Sequence, residues 1–320
     1  FFLLLYISSN FLFSQNNNPI ILIHGFLGWG RDEMLQYYYW GGKNDYESML
    51  RDMGYDVYTV SVGPISSNWD RAIEAFYQIK GGQVDYGKGH SEKYNINQKP
   101  VNKNYQGMYP KWSSEYPIHI IAHSMGGQTA RMLNYLLTQE VYQDHESNIK
   151  ESSLLLGKSH EGLIKSITTI STPHDGTSLT NITIKMVPFI QYFIGVAGLV
   201  GTEFFDFDLE QWSFEREREE GWLDYLSRMR EHSVWKTNNI SIWDLSLDGA
   251  KELNGYLQAS ADIYYFSFIT TTTVLNKETG LHNTLPNTPL LIKSRAKLIG
   301  SRSGYWSDGT PTDSAWYEND

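Results

Sequence analysis

Ala122-His123-Ser124-Met125-Gly126 sets one hydroxyl between two small residues, each two positions away. This is an alanine variant of G-x-S-x-G, the pattern in which a serine occupies a sharp, strained strand-to-helix turn. Strand and helix can close on such a turn only if its neighbours are small, and Ala122 and Gly126 meet that demand. The expected chemistry is nucleophilic acyl transfer with Ser124 as the attacking group. The turn also puts the N–H of Met125 at a helix start, aimed at developing negative charge. A second oxyanion donor is expected from the Phe26 N–H, in His24-Gly25-Phe26.

The elements that must hold these groups are legible as apolar runs. Pro19–Ile23 (PIILI), Val57–Val62 (VYTVSV), Ile118–Ala122 (IHIIA) and Leu163–Ile170 are short and continuous, as expected of buried parallel strands. Asp262–Phe268 reads as a late strand. Asn68–Gln78 has helical spacing, and after Ser124 the residues Thr129, Ala130, Leu133, Leu136 and Leu137 fall on one helix face. Strands alternating with helices imply an α/β protein with a mostly parallel central sheet flanked by helices. Gly81–Gln106 is polar and aperiodic and reads as an excursion from the core. Glu215–Glu220 (EREREE) reads as a solvated helix face. Ile182–Phe205 is very apolar yet contains Lys185, Pro188 and three glycines. It fits either a buried helix or a mobile amphipathic flap over an apolar pocket, and the flap would imply a greasy substrate.

Composition narrows the chemistry further. The chain has 320 residues, 41% hydrophobic and 19% charged, which describes a globular protein able to bury a core. Its net charge of −10 disfavours a nucleic-acid surface. The absence of cysteine removes disulfides, thiolate nucleophiles and Cys-ligated zinc. Phe1–Phe13 is almost wholly apolar but too short for a bilayer, which needs about 20 residues. With Ser14 after it, residues 1–14 read as the remnant of a secretory signal peptide, so the mature protein is expected to be secreted, with no stable membrane span. The sequons at Asn181 and Asn239 carry little weight.

Several longer blocks resemble the secreted bacterial lipases of the Staphylococcus and Geobacillus type. They are HGFLGWGR from His24, VGPISSNWDRA from Val62, VDYG from Val84, HIIAHSMGGQTARM from His119, STPHDGT from Ser171, LEQW from Leu209 and WDLS from Trp243. The resemblance implies an α/β-hydrolase fold over residues 15–320, with an excursion at about 66–112 and a lid region at about 176–235. It also implies hydrolysis of long-chain acylglycerols at a lipid–water interface. A phospholipase, a short-chain carboxylesterase and a non-catalytic lipid-binding relative are the alternatives, and oligomeric state is not legible.

In α/β-hydrolases the triad runs Ser…Asp…His along the chain. The family's acid lies in a W-x-x-N-D-G context, of which Trp316–Asp320 reproduces all but the final glycine, so Asp320 is the expected acid and Asp308 the competitor. No histidine follows either one. The nine histidines are 24, 90, 119, 123, 145, 160, 174, 232 and 282. The simplest expectation is a C-terminally truncated fragment, incompletely folded or barely active by itself, with the general base encoded downstream.

The resemblance also implies a structural zinc held by Asp, His, His and Asp. The first two map to Asp70 and His90, the third falls on Ile96, which cannot ligate, and the last maps to Glu210. Glu92 is a fourth donor by proximity alone. The other reading is a degraded site, with Asp70 and Glu210 solvated or paired with Arg71 or Lys93. The family's calcium site relies largely on residues beyond Asp320.

Overall fold

The computed structural model describes residues 17–34, 36–140, 153–180, 210–213, 219–288 and 290–319. The apolar run Phe1–Phe13, the flap segment Ile182–Phe205, His145, Asn181, residues 215–218 and Asp320 lie outside them. In chain order the elements are β1 (Ile20–Ile23), α1 (Tyr46–Asp52), β2 (Val57–Val60), α2 (Asn68–Lys80), β3 (Gly82–Gln83), α3 (Lys88–Tyr94), β4 (Asn104–Tyr105), β5 (Ile118–His123), α4 (Met125–Thr138) and β6 (Ile164–Ile170). Then come α5 (Trp222–Glu231), α6 (Ser241–Asp244), α7 (Leu247–Tyr256), β7 (Tyr264–Phe268), β8 (Thr273–Leu275), β9 (His282–Thr284) and α8 (Leu290–Gly300).

The five strands expected from apolar runs form one sheet in the order β2-β1-β5-β6-β7, and every pairing in it is parallel. This is the α/β class the alternation implied. Ile21, Ile23, Val60, Ile118, Ile120 and Ile167 are buried in the same cluster as Ala72, Ile73 and Phe76 of α2 and Leu133, Leu136 and Leu137 of α4. Because the strands run in one direction, their C-terminal ends share one edge. That edge carries His24-Gly25-Phe26 after β1, Ser124 after β5 and Ser171 after β6, where ligands bind in sheets of this kind.

Two features depart from the sequence expectation. The excursion Gly81–Gln106 belongs to the core: Val84 and Tyr86 are fully buried in the main apolar cluster. Its polar composition conceals this because Lys103, also buried, is satisfied by carboxylates rather than by water. Helix α2 buries nearly its whole surface, including Asn68, Asp70, Arg71, Glu74 and Gln78, not only its apolar face. At the far edge, all five residues of β7 are exposed, with Tyr264, Phe266 and Phe268 more than half so.

Candidate active site

Ser124 lies at the junction of β5 and α4 with φ 54° and ψ −130°, a backbone region that non-glycine residues rarely adopt. Its N–H donates to Ile170 O at 2.9 Å, and its carbonyl accepts from Gly127 N at 3.0 Å. The close approach that the small neighbours permit is visible at Gly126, where a Cβ would lie 2.4 Å from Ile23 O. A Cβ on Gly25 would lie 2.7 Å from Ser124 Cβ, so the loop after β1 rests directly against the serine. Phe26 follows Gly25 in that loop, and Met125 begins α4. Among the described residues, neither N–H donates to a backbone acceptor outside regular structure. The structure thus places the three groups singled out in the sequence, Ser124 and the backbone of Phe26 and Met125, at one end of the sheet.

The loop after β1 is fixed from beneath by His24 and Arg71, both fully buried. Val62 N donates to His24 Nε2 at 3.3 Å, which leaves the Nδ1 proton to donate to Gly25 O at 2.9 Å. Burial, reinforced by the Arg71 charge, lowers the His24 pKa to about 3, so the ring is a neutral strut. Arg71 from α2 donates to His24 O, to Gly63 O at 2.8 Å and to Thr129 Oγ1 of α4 at 3.0 Å. One guanidinium therefore joins the oxyanion loop, the segment after β2 and the nucleophile helix.

Sequence reasoning missed Tyr39. Its hydroxyl accepts from Gly25 N at 2.9 Å and lies 2.5 Å from His123 Nδ1. Burial pushes the phenol up to about 12, so it stays protonated. The only available signal was an aromatic cluster, Tyr37-Tyr38-Tyr39-Trp40, with no periodicity to assign it.

Among the described residues, no hydrogen bond reaches Ser124 Oγ. His174 Nε2 lies 3.3 Å from Thr169 Oγ1, and its Nδ1 lies 3.4 Å from an Arg131 nitrogen. Burial, with Arg131 beside it, lowers its pKa. His119 Nδ1 pairs with Ser166 Oγ at 2.7 Å, and His282 Nδ1 lies 3.3 Å from Thr273 Oγ1. Asp308 is fully exposed in a turn, and the Thr310 N–H and hydroxyl hold its carboxyl below the usual range. Asp320 lies outside the described residues, but Asn319 before it is anchored. The Asn319 carbonyl accepts from Thr272 N at 2.9 Å, and its N–H donates to Thr273 Oγ1 at 3.1 Å. Thr270 of the same segment meets Ser171 at the sheet's C-terminal edge, 2.7 Å between hydroxyls.

The expected metal ligands are not brought together. Asp70 and His90 do meet, with His90 Nε2 2.8 Å from Asp70 Oδ1 and its ring stacked on Trp69. Glu210 does not join them: its carboxylate faces the buried Lys103 ammonium at 3.4 Å, which also lies 2.9 Å from Glu74. The second carboxylate oxygen of Asp70 accepts from the Asn239 amide at 3.0 Å instead. Glu92 is exposed and lies 3.8 Å from Lys88. Among the described residues, no three His, Asp or Glu side chains form a group able to hold a metal. Ile96 in place of a ligand, and an amide donating to Asp70, do not fit a tetrahedral zinc with four donors. Asn239 is also only 3% exposed, which removes its sequon from the surface of the folded chain.

Known proteins resemble this chain in sequence and fold. The family described as "Lipase-like, C-terminal domain" matches residues 16–311. Lipase 1 of Staphylococcus aureus is 34% identical over 262 residues, covering 79% of this chain and 38% of that protein. The lipase of Staphylococcus epidermidis is 35% identical over the same shares. The chain thus spans 38% of the length of these curated relatives. Among solved structures, EstA from Clostridium botulinum superposes with a TM-score of 0.82 at 37% identity, covering 95% of this chain and 72% of that one. Staphylococcus hyicus lipase gives a TM-score of 0.83 at 32% identity, covering 96% and 78%.

Proposed function

Because the chain belongs to the lipase-like, C-terminal domain family, we propose that it is the catalytic part of a carboxylic ester hydrolase, a triacylglycerol lipase acting through an acyl-enzyme on Ser124. The observation that carries this reading is the serine's left-handed turn at the sheet's C-terminal edge, with the loop of Phe26 packed against it. The Ser124 hydroxyl attacks the ester carbonyl carbon and gives its proton to an imidazole. The carbonyl oxygen becomes an oxyanion held by the N–H groups of Phe26 and Met125. Collapse expels the alcohol, which takes the proton from the imidazolium, and water then hydrolyses the acyl-enzyme by the same steps.

In this proposal Asp320 orients the imidazole that takes the Ser124 proton. The anchoring of Asn319 beside the segment that meets Ser171 supports this assignment. Export fits the apolar run Phe1–Phe13, and no helix among the described residues is long and apolar enough to cross a membrane.

The test is hydrolysis of emulsified triolein and of p-nitrophenyl butyrate by the full-length protein and its Ser124→Ala variant. Long-chain activity that vanishes with the hydroxyl is the expected result. Activity confined to the butyrate would make the protein a short-chain esterase, and an unimpaired Ser124→Ala variant would overturn the reading.

A further inference from the structure

The two halves of the proposed oxyanion site come from strands that neighbour each other but are distant in sequence. Met125 follows β5, whereas Phe26 follows β1. Their relative placement needs a link at the height of the ester carbonyl, above the sheet's own hydrogen bonds. Tyr39 supplies one. The Tyr39 hydroxyl accepts from Gly25 N–H at 2.9 Å and pairs with His123 Nδ1 at 2.5 Å, so one oxygen is hydrogen-bonded to both segments. Gly25 is the residue before Phe26, and His123 is the residue before Ser124. The ring is held edge-on by Trp29 and Trp40, with centroids 5.4 and 5.7 Å away. A Cβ on Gly25 would lie 3.0 Å from the phenol oxygen, so the loop sits directly on it.

We propose that Tyr39 is a positioning residue for the reaction, whose hydroxyl bridges Gly25 and His123 and so sets the distance between the Phe26 N–H and the Ser124 turn. The inference rests on the proposed role of Ser124. It separates from mere packing because the loop has other supports. Leu27 N donates to Pro64 O at 2.9 Å, Gly28 N to Gly25 O at 3.1 Å, and Arg71 to His24 O. Removing one oxygen from Tyr39 therefore leaves the fold in place and frees the Gly25–Phe26 peptide to shift. A displacement of about 1 Å at such a site costs on the order of 10²-fold in rate.

The experiment compares the full-length protein with its Tyr39→Phe and His123→Ala variants. It measures kcat and KM on a soluble p-nitrophenyl ester, Ki for an alkylboronic acid as tetrahedral-anion mimic, and Kd for a non-hydrolysable ether analogue. Labelling of Ser124 by a fluorophosphonate, absent in Ser124→Ala, tests the underlying reading separately. Tyr39→Phe is expected to lower kcat roughly ten- to hundredfold, to raise the boronate Ki by a similar factor, and to leave KM and the ether Kd within about twofold. His123→Ala, which removes the imidazole on the serine side of the Tyr39 hydroxyl, is expected to reproduce the pattern at smaller size. It serves as the readout if Tyr39→Phe does not fold. An unchanged kcat, or a loss shared equally by the ether analogue, overturns the proposal. Absence of Ser124 labelling in the wild-type protein overturns the reading beneath it.

Discussion

The left-handed φ of Ser124 is sustained by what surrounds it, and that support can be removed one group at a time. Gly126→Ala would force a methyl to within 2.4 Å of Ile23 O, a backbone atom that cannot swing aside. The expected result is a stability loss of roughly 1–3 kcal/mol in denaturant unfolding, with activity falling by more than the unfolded fraction explains. Sequence was informative here because the demand is local: a turn that needs small residues two positions away writes them into five consecutive letters. Tyr39 shows the opposite case. Its partners are 14 and 84 positions away, and nothing in an aromatic run says which ring will reach them. Asn239 was likewise visible only as a sequon, because its partner Asp70 is 169 positions away.

Helix α2 is the element on which the site is built. Its helical spacing was legible, but its buried polar side was not, since those residues are satisfied by groups from five other segments. Arg71 binds three acceptors with a planar fork that an ammonium cannot reproduce. Arg71→Lys is expected to lower stability by roughly 2–4 kcal/mol and to reduce kcat, measured by thermal unfolding and ester hydrolysis. On the same helix, Glu74 donates nothing and accepts from Gly63 N, Tyr86 Oη and Lys103 Nζ. Lys103→Met would leave that carboxylate buried without its ammonium and is expected to cost about 3–5 kcal/mol. The internal ammonium that meets both Glu74 and Glu210 already cross-links helix, excursion and the segment at 210. Added zinc should therefore leave the melting temperature within about 1 °C. A rise of several degrees at micromolar zinc would show that Asp70 and His90 recruit donors other than those the sequence suggested.

For the whole molecule, pH acts through Asp244. It is buried, accepts from Asn68 N at 2.5 Å, and burial raises its pKa to about 7. A carboxyl that is protonated when folded and ionised when unfolded makes stability fall as pH rises from the unfolded value near 3.8 to about 7. Asp244→Asn keeps the acceptor and removes the titration. It should match the wild type near pH 4 and exceed it near pH 8, by roughly 1–3 kcal/mol in urea unfolding. Activity at this scale depends on the imidazole. In subtilisin, loss of the triad histidine alone costs about 10⁶ in kcat, and loss of the imidazole that serves Ser124 is expected to slow ester hydrolysis by several orders of magnitude. The aromatic strand at the sheet's margin has a separate outcome. Tyr264, Phe266 and Phe268 lie uncovered beside a row of backbone groups that no described strand pairs, which is a template for cross-molecule β-pairing. In dilute buffer the 320-residue polypeptide should scatter light more strongly as its concentration rises, and a lysine at position 266 should suppress the turbidity.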